Sequence, residues 1–272
     1  ATPAGGAFTV GTGTIVEGAN TAVTVNQTQS IIQWGAPGSG GIDTIATESL
    51  AFSQAAGLSN SAVLNRIMSG NPTQFDGALN ASGMNIFIVN PAGIVFGNGS
   101  QVNVAQLVAS SLDITNENFL DGHYEFSAGW ASGAVINNGV ITASEGAALI
   151  GSRILNAGTI TTTNPGGFVV MAAGDRVLFG EPGSNIVVEM DSVTPADPAN
   201  PDGLGDVIND STGTISAPAG TIVLAAGDIF STALRVESGV GRVVQSGTIH
   251  ADGTTGDGGS VTLTAGDAVI LG

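Results

Sequence analysis

Apolar residues recur at every second position along this chain in short runs, and Gly, Asn, Asp and Pro separate the runs. The stretch from Met84 to Ile114 is the densest. Runs such as Ile86-Phe87-Ile88-Val89 and Ile94-Val95-Phe96 alternate with corners at Asn90-Pro91-Ala92-Gly93 and Gly97-Asn98-Gly99. No helix fits between turns so closely spaced, and the pattern predicts a parallel β-coil. Upstream, residues 8–16, 21–27 and 31–34 read as short strands rich in Thr and Val, an N-terminal β-cap over the otherwise open edge of a first coil. Residues 35–41 are a Gly-rich loop. Residues 60–70 fit either a short helix or a buried strand, since Val63, Leu64, Ile67 and Met68 suit helical spacing.

Beyond residue 135 one phrase returns four times: Asn137-Asn-Gly-Val-Ile-Thr, Asn156-Ala-Gly-Thr-Ile-Thr, Ser211-Thr-Gly-Thr-Ile-Ser and Gln245-Ser-Gly-Thr-Ile-His. A second phrase follows three of them, ending in Ala-Gly-Asp175, Ala-Gly-Asp228 and Ala-Gly-Asp267. Units of this size bury their inward faces only by stacking on one another. Gly139 to Gly158 is 19 residues, about one coil, whereas the 55 from Gly158 to Gly213 and the 34 from Gly213 to Gly247 imply extra coils or inserted loops.

Two stretches break the pattern. Residues 190–206 are Pro- and Asp-rich and read as a surface loop. Residues 114–133 carry Phe119, Tyr124, Phe126 and Trp130 and are expected to pack across the side of the coil as extra strands. The expected organisation is a unit over residues 1–180, comprising the cap and first coils, and continuing repeats over 181–272.

Composition narrows the function. The 272 residues include 42 Gly, are 42% hydrophobic and only 10% charged, which fits many short buried strands joined by turns and not a disordered chain. With no Lys, five Arg and 22 acidic residues, the formal charge is −17. Binding to nucleic acid or to an anionic membrane needs basic patches and is not expected. Cysteine is absent, which excludes disulfides and thiolate metal sites and suits a chain threaded during export. No apolar run reaches the roughly 18 residues of a membrane helix, so no membrane insertion is expected. The chain opens with neither Met nor a basic segment, so any signal peptide is expected to have been removed or to lie outside this sequence.

The repeated Asp175, Asp228 and Asp267 are read as corner residues capping their own backbone. Asp191, Asp197, Asp202 and Asp206 in the acidic loop are weak calcium candidates, lacking the spacing of a known calcium loop. His123 and His250 stand far apart in unlike contexts and are read as surface or packing residues. Met68, Met84, Met171 and Met190 are read as core fillers. No cofactor is expected. A β-helix polysaccharide hydrolase or lyase is a more remote alternative: it would need clustered carboxylates on one cleft, or a metal with a basic residue, and the Asp-Asp, Asn-Thr-Asp and Arg-Ile-Lys motifs of the pectin hydrolases are missing here.

Four motifs, in order, carry a family resemblance: Asn65-Arg66-Ile67, Asn71-Pro72, the run Ser82 to Ile94 containing Asn90-Pro91-Ala92-Gly93-Ile94, and Ala109-Ser110-Ser111-Leu112-Asp113-Ile114. Together they resemble the two-partner secretion domain of exported adhesins of the filamentous haemagglutinin and high-molecular-weight adhesin group. One departure is Ala92, where the family has Asn; Pro91 and Gly93 still suit the turn. The resemblance implies a right-handed parallel β-helix, no enzymatic activity, and recognition by the POTRA domains of an outer-membrane transporter. It also implies a secreted or cell-surface location reached through the periplasm of a Gram-negative-type bacterium. Asn65, Arg66, Asn71, Pro72, Asn90, Pro91, Ala92, Gly93 and Ile94 are the residues expected to serve partner recognition or nucleation of the coil. A self-assembling surface filament, with end-to-end self-association, is the alternative.

Overall fold

The computed structural model describes residues 2–131, 133–179, 188–191, 205–227, 241–253 and 256–272. Strands β1 (Gly6–Val10) and β2 (Gly13–Val16) come first, followed by β3 (Asn20–Val25) and β4 (Gln29–Trp34), the first coil. β1 pairs antiparallel with β4 and β2 with β3, so the cap seals two edges of that coil. β5 (Ser49–Gln54) and β6 (Ala62–Ile67) stack on β3 and β4 in parallel, which settles residues 62–67 as strand.

From there each coil has three faces. The next coils are β7 (Thr73–Phe75) with β8 (Ala78–Val89), then β9 (Ile94–Phe96) with β10 (Gln101–Ser110). The chain then leaves the solenoid through α1 (Asn116–Leu120) and β11 (Tyr124–Ser127), and returns with β12 (Ala134–Asn137) and β13 (Val140–Gly151). β14 (Arg153–Asn156), β15 (Thr159–Thr162) and β16 (Phe168–Ala173) complete another coil, and β17 (Arg176–Phe179) and β18 (Val188–Asp191) form a second excursion. β19 (Val207–Asn209), β20 (Thr214–Ser216) and β21 (Thr221–Ala226) follow, then β22 (Arg242–Gln245), β23 (Thr248–His250), β24 (Ser260–Ala265) and β25 (Ala268–Leu271). β7, β9, β12, β14, β19, β22 and β25 stack in one parallel sheet. β13, β15, β20 and β23 continue a second face, and β13, β16, β21 and β24 a third. The architecture is a parallel β-helix, right-handed as crossovers between parallel strands are.

β15 pairs directly with β20, and β20 with β23. The long sequence steps are therefore inserted segments between consecutive coils, not extra coils. The glycines of the repeated phrase stack on one another: a Cβ on Gly158 would lie 2.2 Å from the Gly139 carbonyl oxygen, and one on Gly247 2.2 Å from that of Gly213. Only a hydrogen fits there.

Inside the coil, aliphatic residues align in ladders, such as Ile141, Ile160 and Ile215, or Leu149, Met171 and Leu224, all fully buried. Each such side chain contributes about 1.5–3 kcal/mol. One interior ladder changes chemistry along the axis. Phe75 and Phe96 stack edge to face at 6.1 Å, and Asn137 takes the next position. Asn137 Nδ2 donates to Asn156 Oδ1 (2.8 Å), Asn156 Nδ2 to Asn209 Oδ1 (2.8 Å), and Asn209 Nδ2 to Gln245 Oε1 (3.0 Å). Gln245 Nε2 ends the series on the Gly247 carbonyl. Matching by phrase would have put Ser211 in this ladder. Asn209 occupies it instead, because the turn before Gly213 is two residues longer than its counterparts.

A second core lies outside the solenoid, between one outer face and the excursions. Leu64, Phe87, Val108, Ala148 and Val170 pack there against Phe119, Tyr124, Phe126, Val177 and Phe179. The expectation that residues 114–133 cover the side of the coil holds for three of the four aromatics. Trp130 is 63% exposed, and the segment includes a short helix as well as a strand. Thr115 caps that helix through the Asn118 N–H. Met84 and Met171 are core fillers, but Met68 follows the end of β6 and is 38% exposed.

The excursions are joined by an ion pair. Arg176 Nε donates to Glu125 Oε1 at 2.8 Å, and His123 Nε2 lies 3.2 Å from Glu125 Oε2. Chiefly through its hydrogen bond to Arg176, Glu125 is held below its ordinary pKa of 4.5. A depressed carboxylate contributes stability that is present above the unfolded pKa and lost as pH falls through the folded value. The protection factors of the β11 and β17 amides, which allow for slower intrinsic exchange in acid, are thus expected to fall on acidification below about pH 4.5, and Arg176→Gln should weaken that dependence.

Candidate functional site

Most of the motif residues meet at the corner between the third face and the sheet that begins with β7. Asn65, on β6, alternates inward with Val63 and Ile67 and is fully buried. Its Oδ1 accepts the Trp34 indole N–H at 2.9 Å, and its Nδ2 donates to the Phe87 carbonyl at 3.1 Å. Arg66 points outward. Its Nε donates to Asp113 Oδ1 at 3.3 Å, its Nη1 to Asn116 Oδ1 at 2.7 Å, and its Nη2 to the Ile114 carbonyl. The first and fourth motifs, far apart in sequence, are thus bonded to each other.

Asn90 is also fully buried. Its Nδ2 donates to the Asn71 carbonyl and to Thr73 Oγ1, both at 2.9 Å, and its Oδ1 accepts the Ala92 N–H at 3.0 Å. One side chain therefore closes its own turn and staples it to the turn one coil earlier. Pro91 is buried, and its carbonyl accepts the Gly133 N–H at 2.9 Å. Gly93 has φ +117, and a Cβ there would press on the Ala134 carbonyl at 3.0 Å. Its own carbonyl accepts the Thr73 N–H. Ile94 is fully buried in the solenoid core. Ala92 is half-buried, and its backbone N–H carries the bond that matters to the turn. Asn71 and Pro72 differ from the rest, being exposed. Asn71 contributes its backbone, not its side chain, to the described hydrogen bonds.

The other candidates take different places. Asp206 is 3% exposed and grips Arg242, whose Nη2 lies 2.6 Å from Asp206 Oδ2 while its backbone N–H donates to Oδ1 at 2.8 Å. These bonds, with Asp267 nearby, raise the Arg242 pKa. Asp206 thus fastens two coils together. Asp197, Asp202 and Asp228 lie outside the described residues, and Asp191 is placed by its backbone alone, opposite Arg176. No group of three His, Asp or Glu residues that could hold a metal occurs among the described residues. His123 and His250 are surface residues. Sequence reasoning missed the amide ladder as a bonded unit and the link from Arg66 to Asp113; only the recurrence of Asn ahead of Gly hinted at the first.

The structure is thus a parallel β-helix with an antiparallel N-terminal cap and bonded Asn-Pro corners. The chain matches the family described as TPS secretion domain over residues 1–179, and it belongs to that family, the secretion domains of exported proteins of the two-partner system. A heme/hemopexin-binding protein of Haemophilus influenzae is 31% identical over 140 residues, which are 48% of this chain and 15% of that protein. A second protein of the same description and species is 30% identical over 76 residues, 28% of this chain and 8% of that one. The chain thus spans a small fraction of these relatives. The crystal structure of the HMW1 secretion domain from Haemophilus influenzae matches with a TM-score of 0.72 at 26% identity, covering 99% of this chain and 71% of that chain.

Proposed function

We propose that residues 1–179 are the export address of a larger adhesin-like protein. The POTRA domains of an outer-membrane transporter take up the unfolded chain in the periplasm of a Gram-negative-type bacterium, and the transporter passes it outward. At the cell surface the cap and first coils fold and nucleate the remainder. Each added coil is stabilised by its neighbour, so folding outside biases the chain's diffusion without ATP. The domain acts without catalysis or cofactor.

The observation that carries this reading is the division among the motif side chains. Asn65, Arg66 and Asn90 spend their polar atoms on corners of the coil, whereas Asn71 and Pro72 stand exposed beside them. The first group builds the coil, whereas no described bond of the coil uses the Asn71 side chain, which leaves the Asn71-Pro72 pair to the partner that takes up the unfolded chain. Asn90→Ala is expected to lower stability by about 2–4 kcal/mol, because buried partners lose their bonds, and to reduce export with it. Asn71→Ala is expected to leave stability within about 0.5 kcal/mol of the parent and still to reduce release to the medium. Wild-type release of Asn71→Ala alongside a cognate transporter would remove that pair from recognition.

A further inference from the structure

The two excursions are separated by complete coils, yet they pair with each other. β11 lies antiparallel to β17, with Tyr124 opposite Phe179 and Ser127 opposite Arg176. The first excursion is anchored on coils formed earlier in the chain. Arg66 holds Asp113, Asn116 and the Ile114 carbonyl, Gln29 Nε2 donates to the Leu120 carbonyl at 3.0 Å, and Phe87 contacts the rings of Phe119 and Tyr124 at 5.2 and 5.0 Å. The second is anchored on a later coil, through Phe179 on Phe168 at 5.5 Å. β17 ends at Phe179, the residue at which the family match also ends.

We propose that the β11–β17 pairing is a latch that gives the coils from β4 to β16 a common folding fate and closes the secretion domain at Phe179. A bare solenoid couples only adjacent coils, so its ends open separately. A strap bonded to an early coil at one side and a late coil at the other removes that independence. Closure requires β17 to have arrived, so coils made before it remain open to fraying and form one cooperative body once it docks. Where this bears on export it rests on the function proposed above.

The test uses the full chain and native-state hydrogen exchange of two amides, Leu64 on β6 and Val170 on β16. In the parent both are expected to open together, at equal rates across a series of low denaturant concentrations. In Phe126→Ala, which thins the strap's packing, the Val170 amide is expected to exchange at least tenfold faster than that of Leu64. Equal acceleration of both, or none, would overturn the latch. A second variant does not depend on surviving a lost aromatic. Glu125 and Leu178 are directly opposed across the strands, a separation that suits a disulfide, and the chain has no other Cys. Oxidised Glu125→Cys/Leu178→Cys is expected to slow exchange at Leu64 and Val170 together; slowing confined to β11 and β17 would refute the latch. The same variant tests export separately: the oxidised form should stall in the periplasm and be released by reductant. Full export while oxidised would contradict threading of an unfolded chain and leave the exchange result standing.

Discussion

Asn156→Ala is expected to lower the unfolding free energy by about 3–5 kcal/mol, the largest loss from any single amide among the described residues. Asn156 sits in the middle of the interior ladder, accepting from Asn137 and donating to Asn209 at 2.8 Å each. Its loss leaves the Asn137 amide N–H and the Asn209 carbonyl oxygen without that partner, in a core where both residues are fully buried. Each buried group left unsatisfied costs about 1–3 kcal/mol, and the missing side chain adds a cavity. The matched control is on the outside of the coil, where Asn103 Nδ2 donates to Asn80 Oδ1 at 3.3 Å in an exposed pair. Asn80→Ala should change stability by no more than about 0.5 kcal/mol. Urea unfolding of the two variants makes the comparison; equal effects would mean that the ladder contributes no more than a surface pair.

Asn65→Ala is expected to cost about 3 kcal/mol, for a different reason. The fully buried Trp34 indole N–H has Asn65 Oδ1 as its partner, and the Phe87 carbonyl also loses a donor. A buried donor that has lost its acceptor bears the full desolvation penalty, whereas removing both partners together is close to neutral. Trp34→Phe in the Asn65→Leu background should therefore recover part of the loss, giving a favourable coupling between the two positions on the order of 1–2 kcal/mol in a double-mutant cycle. Strict additivity would show that the indole and the amide act independently.

Much of this fold was legible because a solenoid repeats its instructions. Period-two alternation, the Gly-Thr-Ile phrase and the Asn-Pro corners each state a local geometry that stacking then propagates. The ambiguous run at 62–67 became strand because β4 and β8 flank it; only that tertiary pairing overrides its helical spacing. The exposure of Trp130 and Met68 and the short helix beside the coil were not legible. Trp130 and the helix depend on how an excursion crosses a face, which no repeat encodes, and Met68 falls at a corner just past the end of β6. The phrase itself misled at Ser211, since a longer turn shifted the inward position to Asn209. At the corner, resemblance marks the motif residues, but their division into buried staples and an exposed pair arises only from the fold. Nothing in the spacing of Arg66 and Asp113 announces that they touch.

The proposed role of Asn65, Arg66 and Asn90 in export is to build the coil. It is tested most directly by measuring released protein against unfolding free energy for Asn65→Ala, Asn90→Ala and Leu79→Ala. Leu79 is a fully buried interior residue of the same coils that belongs to none of the motifs, and its truncation should cost a comparable ~2–5 kcal/mol. All three variants are expected to fall on one curve, with export declining as stability does. Wild-type release of Leu79→Ala at a stability where Asn90→Ala is retained would mean that the buried amides are read directly, and would contradict the account.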